Sequence, residues 1–172
     1  MCLIGVLAAV NVGSRLALQA LPNFKPVTAI IIISVMIFGL AFGAKLALVT
    51  TLASGLFLGF GTFIPFQILA WIVICLLTQC LLDFYKKIHK EPQIIVMSIF
   101  AFFMGYVFGF IVSLEKLVLG GPSLFLVYYI SGLLFDTFHA AGNLVFFPIC
   151  YPILSKVFKK GKEKLIQNSR EG

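Results

Sequence analysis

The chain has 172 residues, of which 61% are hydrophobic and only 11% charged, with a mean hydropathy of +1.11. That composition excludes an ordinary soluble domain and marks an integral membrane protein. The formal charge of +7 does not imply nucleic acid, because the basic residues gather at the ends of apolar runs, as membrane topology requires.

At roughly 20 residues per crossing, the chain has room for six helices at most, joined by short connections in one domain. Apolar runs predict spans at about 2–21, 26–42, 44–60, 64–84, 93–114 and 133–156. Turn-forming residues separate them at Pro22 to Pro26, Gly43 to Lys45, Gly59 to Pro65, Lys86 to Pro92 and Gly120 to Pro122. The first stretch is not a signal peptide: it lacks a basic start, and Asn11 and Arg15 interrupt it.

Charge orients the bundle. Lys45, Lys86, Lys87, Lys90, Lys156, Lys159, Lys160, Lys162, Lys164 and Arg170 fall on one side of this topology. Only Arg15, Lys25 and Lys116 fall on the other. The positive-inside rule therefore places both termini in the cytoplasm, which an even number of spans requires. The expected fold class is all-α, an integral membrane bundle of six transmembrane helices forming a single domain over 1–172. Its basic cytoplasmic tail runs from about 157 and lies near anionic lipid.

The first span carries Gly5, Ala9, Gly13 and Ala17 at intervals of four, a stripe that lets another backbone approach closely. Internal packing and docking to a partner are both open readings of it. Cys2, Cys75, Cys80 and Cys150 show no metal-type spacing and read as small hydrophobes. Between the fifth and sixth spans, Leu117 to Gly132 is too short to cross beside a full sixth span and is expected to form an outer flap. Phe125, Tyr128 and Tyr129 would sit at the outer interface as anchors or as ligand contacts.

The outer half collects the polar residues. Asp136, His139 and Asn143, in FDTFHAAGN, recur at three and seven residues and share a helix face. An ionisable group in lipid costs about 2.5 to 3.5 kcal/mol, so such a face is expected to look onto a cavity or a partner. Arg15 and Lys25 lie near the same level, as do Thr62, Phe63 and Gln67 around Pro65 and Trp71 one turn further on. A polar hollow with an aromatic rim suits capture of a medium-sized nutrient. Structural alternatives stand beside each residue: Arg15 snorkelling, an Asp136 pairing with Arg15 or His139, His139 as a hydrogen-bonded core residue, Asn143 stitching two helices, Gln67 capping a proline corner. No GxxxxGK[ST], HExxH or GxSxG run is present, and Asp136 with His139 lacks a nucleophile and oxyanion donors. The chain is therefore expected not to be an enzyme.

The stretches LPNFKPVTAIIIISVMIFG, GAKLALVTTLASGLFLGFGTFIPFQILAW and FDTFHAAGN resemble the substrate-binding S-components of energy-coupling factor (ECF) vitamin transporters. The likeness runs from Asn11 to about Pro148 and is greatest to the cobalamin-specific type; riboflavin-type members share the scaffold. It implies a multi-pass protein of the bacterial plasma membrane that binds cobalamin in its outer half through Arg15, Lys25, Phe63, Gln67, Trp71, Tyr128, Asp136, His139 and Asn143. It also implies docking on a transmembrane coupling protein (the T-component) through Gly5, Ala9 and Gly13, where the family has an AxxxA-like motif. Two cytoplasmic ATPases would bind the ATP, and this chain would hold no cofactor or metal of its own. Riboflavin or another vitamin as cargo, a non-transporting membrane scaffold, and a small intramembrane enzyme are the other readings.

Overall fold

The structure, a computed structural model, describes residues 2–88 and 93–171. The predicted connection at Lys90 and Pro92 lies outside the described residues, as do the side chains of Lys87 and of the basic tail beyond 158. Every regular element among the described residues is helical: α1 (Cys2–Ala17), α2 (Val27–Phe38), α3 (Leu40–Leu58), α4 (Ile64–Ile88) and α5 (Ile94–Glu171). Three stretches are long and apolar enough to cross a membrane, namely Leu40–Leu58, Ile64–Lys86 and Ile94–Phe158.

The last of these is two helices. Gly121 has φ 76° and ψ −173°, a conformation closed to side-chain-bearing residues, and Pro122 follows it. The chain reverses there into arms 94–120 and 122–171. Gly109 lies against Asp136, Gly105 against the backbone of Ala140, and Asn143 Nδ2 donates to the Ala101 carbonyl oxygen at 3.0 Å. One number rises as the other falls, so the arms run antiparallel, and the glycines let them approach closely.

This corrects the expected flap. Residues 122–132 are the start of the second arm, so the sixth helix begins about ten residues earlier than the apolar pattern suggested. Helix extends to the turn because Gly121 alone reverses the chain, leaving no loop. The expected break at Gly43 to Lys45 is also displaced. The chain turns at Gly39 (φ 87°), whereas Gly43 lies inside α3, where a β-carbon would meet Val35 and Cys75. Gly43 is a packing glycine, not a breaker.

α2 is the axis of the molecule. Every residue from Val27 to Val35 is buried, so this β-branched, apolar run is shielded on all sides by the other helices. Twelve residues rise only about 18 Å at 1.5 Å each, and Phe38 ends against Phe42 and Phe158. The outer surface is apolar, and the few polar side chains of the spans are turned inward among an apolar core. Asn11, Thr28, Thr50, Thr51 and Asn143 are fully buried, while Leu56, Phe57, Phe103 and Ile95 are exposed, the pattern expected of a surface solvated by lipid. Buried hydroxyls of Ser34, Thr51, Ser54 and Thr78 bond the carbonyl four residues back, which satisfies them within their own helix.

Candidate functional site

Four elements converge at one end of the bundle. The end of α1 brings Arg15, and the segment 18–26 brings Asn23 and Lys25. That segment is seated by Phe24, whose ring packs at a tilt against Phe146 at 5.2 Å and which passes over Gly142, where a β-carbon would press on the Phe24 backbone at 3.3 Å. The start of α2 brings Thr28, the start of α4 brings Gln67 and Trp71, and α5 brings Phe108 and His139. They enclose a hollow of about 60 Å³.

Thr28 ties the floor together. Its Oγ1 lies 3.1 Å from Trp71 Nε1, which can only donate, and 2.9 Å from His139 Nε2. The hydroxyl oxygen has two lone pairs, so toward His139 it either donates to a bare Nε2 or accepts from Nε2–H, according to the tautomer. Phe108 stands edge-on to the same imidazole at 4.9 Å and packs on Trp71 at 5.0 Å. His139 is thus held by its neighbours on two sides, and Trp71 presents its face to the Arg15 guanidinium at 5.6 Å.

Two atoms in this hollow are not satisfied. Arg15 Nη1 and Gln67 Oε1 are buried without a hydrogen-bond partner, one donor and one acceptor on the same wall. Asn11 and Asn143 each leave an unpaired Oδ1 as well, but between helices and away from the hollow. Lys25 lies beside Arg15; burial first and the Arg15 charge second push its ammonium below the ordinary lysine range.

A second, larger cleft of about 390 Å³ opens between the arms of α5. Tyr128, Ser131 and Asp136 come from one arm and Gly109 and Ser113 from the other. Phe108 and Asn23 belong to the walls of both hollows, so the two adjoin across the Phe108 ring. Asp136 is 6% exposed and, among the described residues, has neither a hydrogen bond nor an ion pair. Its expected pairing with Arg15 or His139 is not made. Near the cleft, Thr62 donates to Glu115, which also meets Lys116 at 3.0 Å, and Lys116 caps the Tyr128 ring at 5.1 Å. These contacts moor the corner between α3 and α4 to α5.

Of the residues expected to bind substrate, Arg15, Lys25, Gln67, Trp71 and His139 line the first hollow, and Tyr128 and Asp136 the second. Phe63 and Asn143 line neither. Phe63 is half-buried with its ring against Gly61, and Asn143 stitches the two arms. Thr28 and Phe108 were missed. Thr28 follows Pro26 as the one hydroxyl at the head of an apolar run, a signal that was present, whereas Phe108 is one of 19 phenylalanines and nothing local singles it out.

Gly5, Ala9 and Gly13 lie on the outer surface of α1 with Val6 and Val10 exposed around them, and a side chain at Gly5 or Gly13 would meet nothing within 4 Å. Among the described residues no three His, Cys, Asp or Glu side chains gather to hold a metal ion. The chain was compared with family models, with characterised proteins and with solved structures. None matches.

Proposed function

We propose that this protein is the vitamin-binding S-component of an ECF-type importer in the bacterial plasma membrane. The carrying observation is the hollow between α1, α2, α4 and α5, where Arg15 Nη1 and Gln67 Oε1 are buried without partners. Unpaired polar atoms cost about 1 to 3 kcal/mol each, and a polar solute seated among them would offset that cost. Six crossings with both termini cytoplasmic fit the reversal at Gly121, which makes two passes of the 65 residues Ile94–Phe158. The hollow end then faces outward, where Arg15, Lys25 and Lys116 are the few basic residues.

The protein is not an enzyme in this reading: it binds, and the energy of ATP enters through two cytoplasmic ATPases and a coupling protein that docks on Gly5, Ala9 and Gly13. It carries no cofactor of its own. Cobalamin was the cargo expected from the resemblance. Pockets for drug-sized ligands measure about 300 to 1,000 Å³, and the cleft of about 390 Å³ with its annex of about 60 Å³ falls at the low end of that range. A corrinoid, with its macrocycle, amide side chains and nucleotide loop, exceeds it. The volumes favour a vitamin of riboflavin's size or smaller.

Calorimetric titration of the purified chain with riboflavin and with cobalamin tests this. Heat from riboflavin that is lost in Arg15→Gln supports the reading, and heat from cobalamin alone keeps the capture role and overturns the size argument. A chain neither bound nor thermally stabilised by any of the water-soluble vitamins is a scaffold, not a carrier.

A further inference from the structure

We infer that the two hollows form one bipartite site of opposite charge, selective for a ligand with an anionic group at one end and a cationic amine at the other. This rests on the capture reading above and names the class of its cargo.

The smaller hollow is basic. Arg15 and Lys25 line it, and among the described residues no acid does. Thr28 and His139 are already engaged with each other, which leaves the buried, unpaired Arg15 Nη1 as the donor that an anion would satisfy; Gln67 Oε1, also unpaired, accepts and would take a donor hydrogen of the ligand. The space of about 60 Å³ is small beside the cleft of about 390 Å³, so it suits a compact head such as a carboxylate or phosphate while the body of the ligand lies in the cleft.

The larger cleft is acidic. Asp136 is its only charged lining residue, buried to 94% by the 6% exposure of its surface, with no partner among the described residues. Gly109 supplies no side chain to cover it; a β-carbon there would fall on the carboxylate. Buried charge is retained only where something pairs with it. The protein leaves the acid and the two cations apart, although they face adjoining spaces, with Phe108 and Asn23 standing between. A ligand lying across the Phe108 ring would satisfy both ends at once, and a ligand with a single charge would leave one end unpaired.

The test uses the full chain in lipid nanodiscs and ω-aminoalkanoates of four to eight carbons, each compared with the alkanoate and the alkylamine of the same length. Thermal stabilisation is the readout. The expected result is a half-maximal effect from at least one aminoalkanoate at a concentration about tenfold below that of either single-charged analogue, a difference of about 1.4 kcal/mol. Arg15→Gln should bring that compound to the level of the alkylamine, and Asp136→Asn to the level of the alkanoate. Equal effects from all three compounds, or an Asp136→Asn chain that responds like the parent because the buried acid is merely protonated, would overturn the inference. If riboflavin or cobalamin binds while the aminoalkanoates behave as their analogues do, the charge assignment alone fails. If nothing binds, the capture reading fails with it.

Discussion

Thr28 is the residue on which the site's geometry turns, since one oxygen orients both Trp71 and His139 inside the fully buried start of α2. Thr28→Val keeps the shape and removes that oxygen, leaving an indole N–H and an imidazole nitrogen unpaired. The expected loss is about 1 to 3 kcal/mol of stability, read by thermal unfolding in detergent, with weaker ligand binding because Trp71 no longer has a fixed ring plane. Asn143 is legible in the sequence as a polar residue on the Asp136 face, yet its amide serves the Ala101 carbonyl. Spacing along one helix reports a shared face and not which neighbour that face meets. Lys25 offers a test by pH. Its ammonium loses its proton below the ordinary lysine range, so anion binding that uses its charge falls as pH rises through that lowered value. Lys25→Arg should hold binding to higher pH, because guanidinium stays protonated; an unchanged profile would remove Lys25 from the site.

Among the elements, the antiparallel arms of α5 decide most. Gly105 is where they come closest: a β-carbon there would lie 2.6 Å from the Ala140 backbone nitrogen, and a backbone atom cannot swing aside as a flexible side chain does. Gly105→Val should separate the arms, costing about 1 to 3 kcal/mol or more. It should also loosen the cleft between Ser113 and Asp136, so ligand affinity and thermal stability would fall together. A variant as stable as the parent would mean that the arms are not packed in this register. The sequence offers Gly105 and Gly109 as a small-residue pair. It does not say that their partner is the second arm rather than another molecule, since that depends on the reversal at Gly121.

At the scale of the whole molecule, the outer surface is apolar while the buried polar groups sit within an apolar core, and α1 presents an open stripe of small residues to the surroundings. Side chains added at Gly5 or Gly13 meet nothing in the chain itself. Gly5→Leu and Gly13→Leu are therefore expected to leave unfolding temperature and ligand affinity within experimental error while sharply reducing uptake by cells that carry the complete transporter. Normal uptake by both variants would show that the stripe faces only lipid.

Composition and local pattern alone determined that the chain is helical and built for a membrane, because about 20 apolar residues in sequence suffice to span a bilayer whatever surrounds them. They also brought forward seven residues that line the two hollows, since a charge or an amide in an apolar run is conspicuous on its own. The turn at Gly120 to Pro122 was legible too, but tertiary structure alone decided that Gly39 turns the chain while Gly43 packs. It also decided that Asp136 stands apart from Arg15 and that Thr28 and Phe108 build the floor. Each of these depends on contacts between segments tens of residues apart, and a hydroxyl or a phenyl ring carries no local sign of which distant surface it will meet.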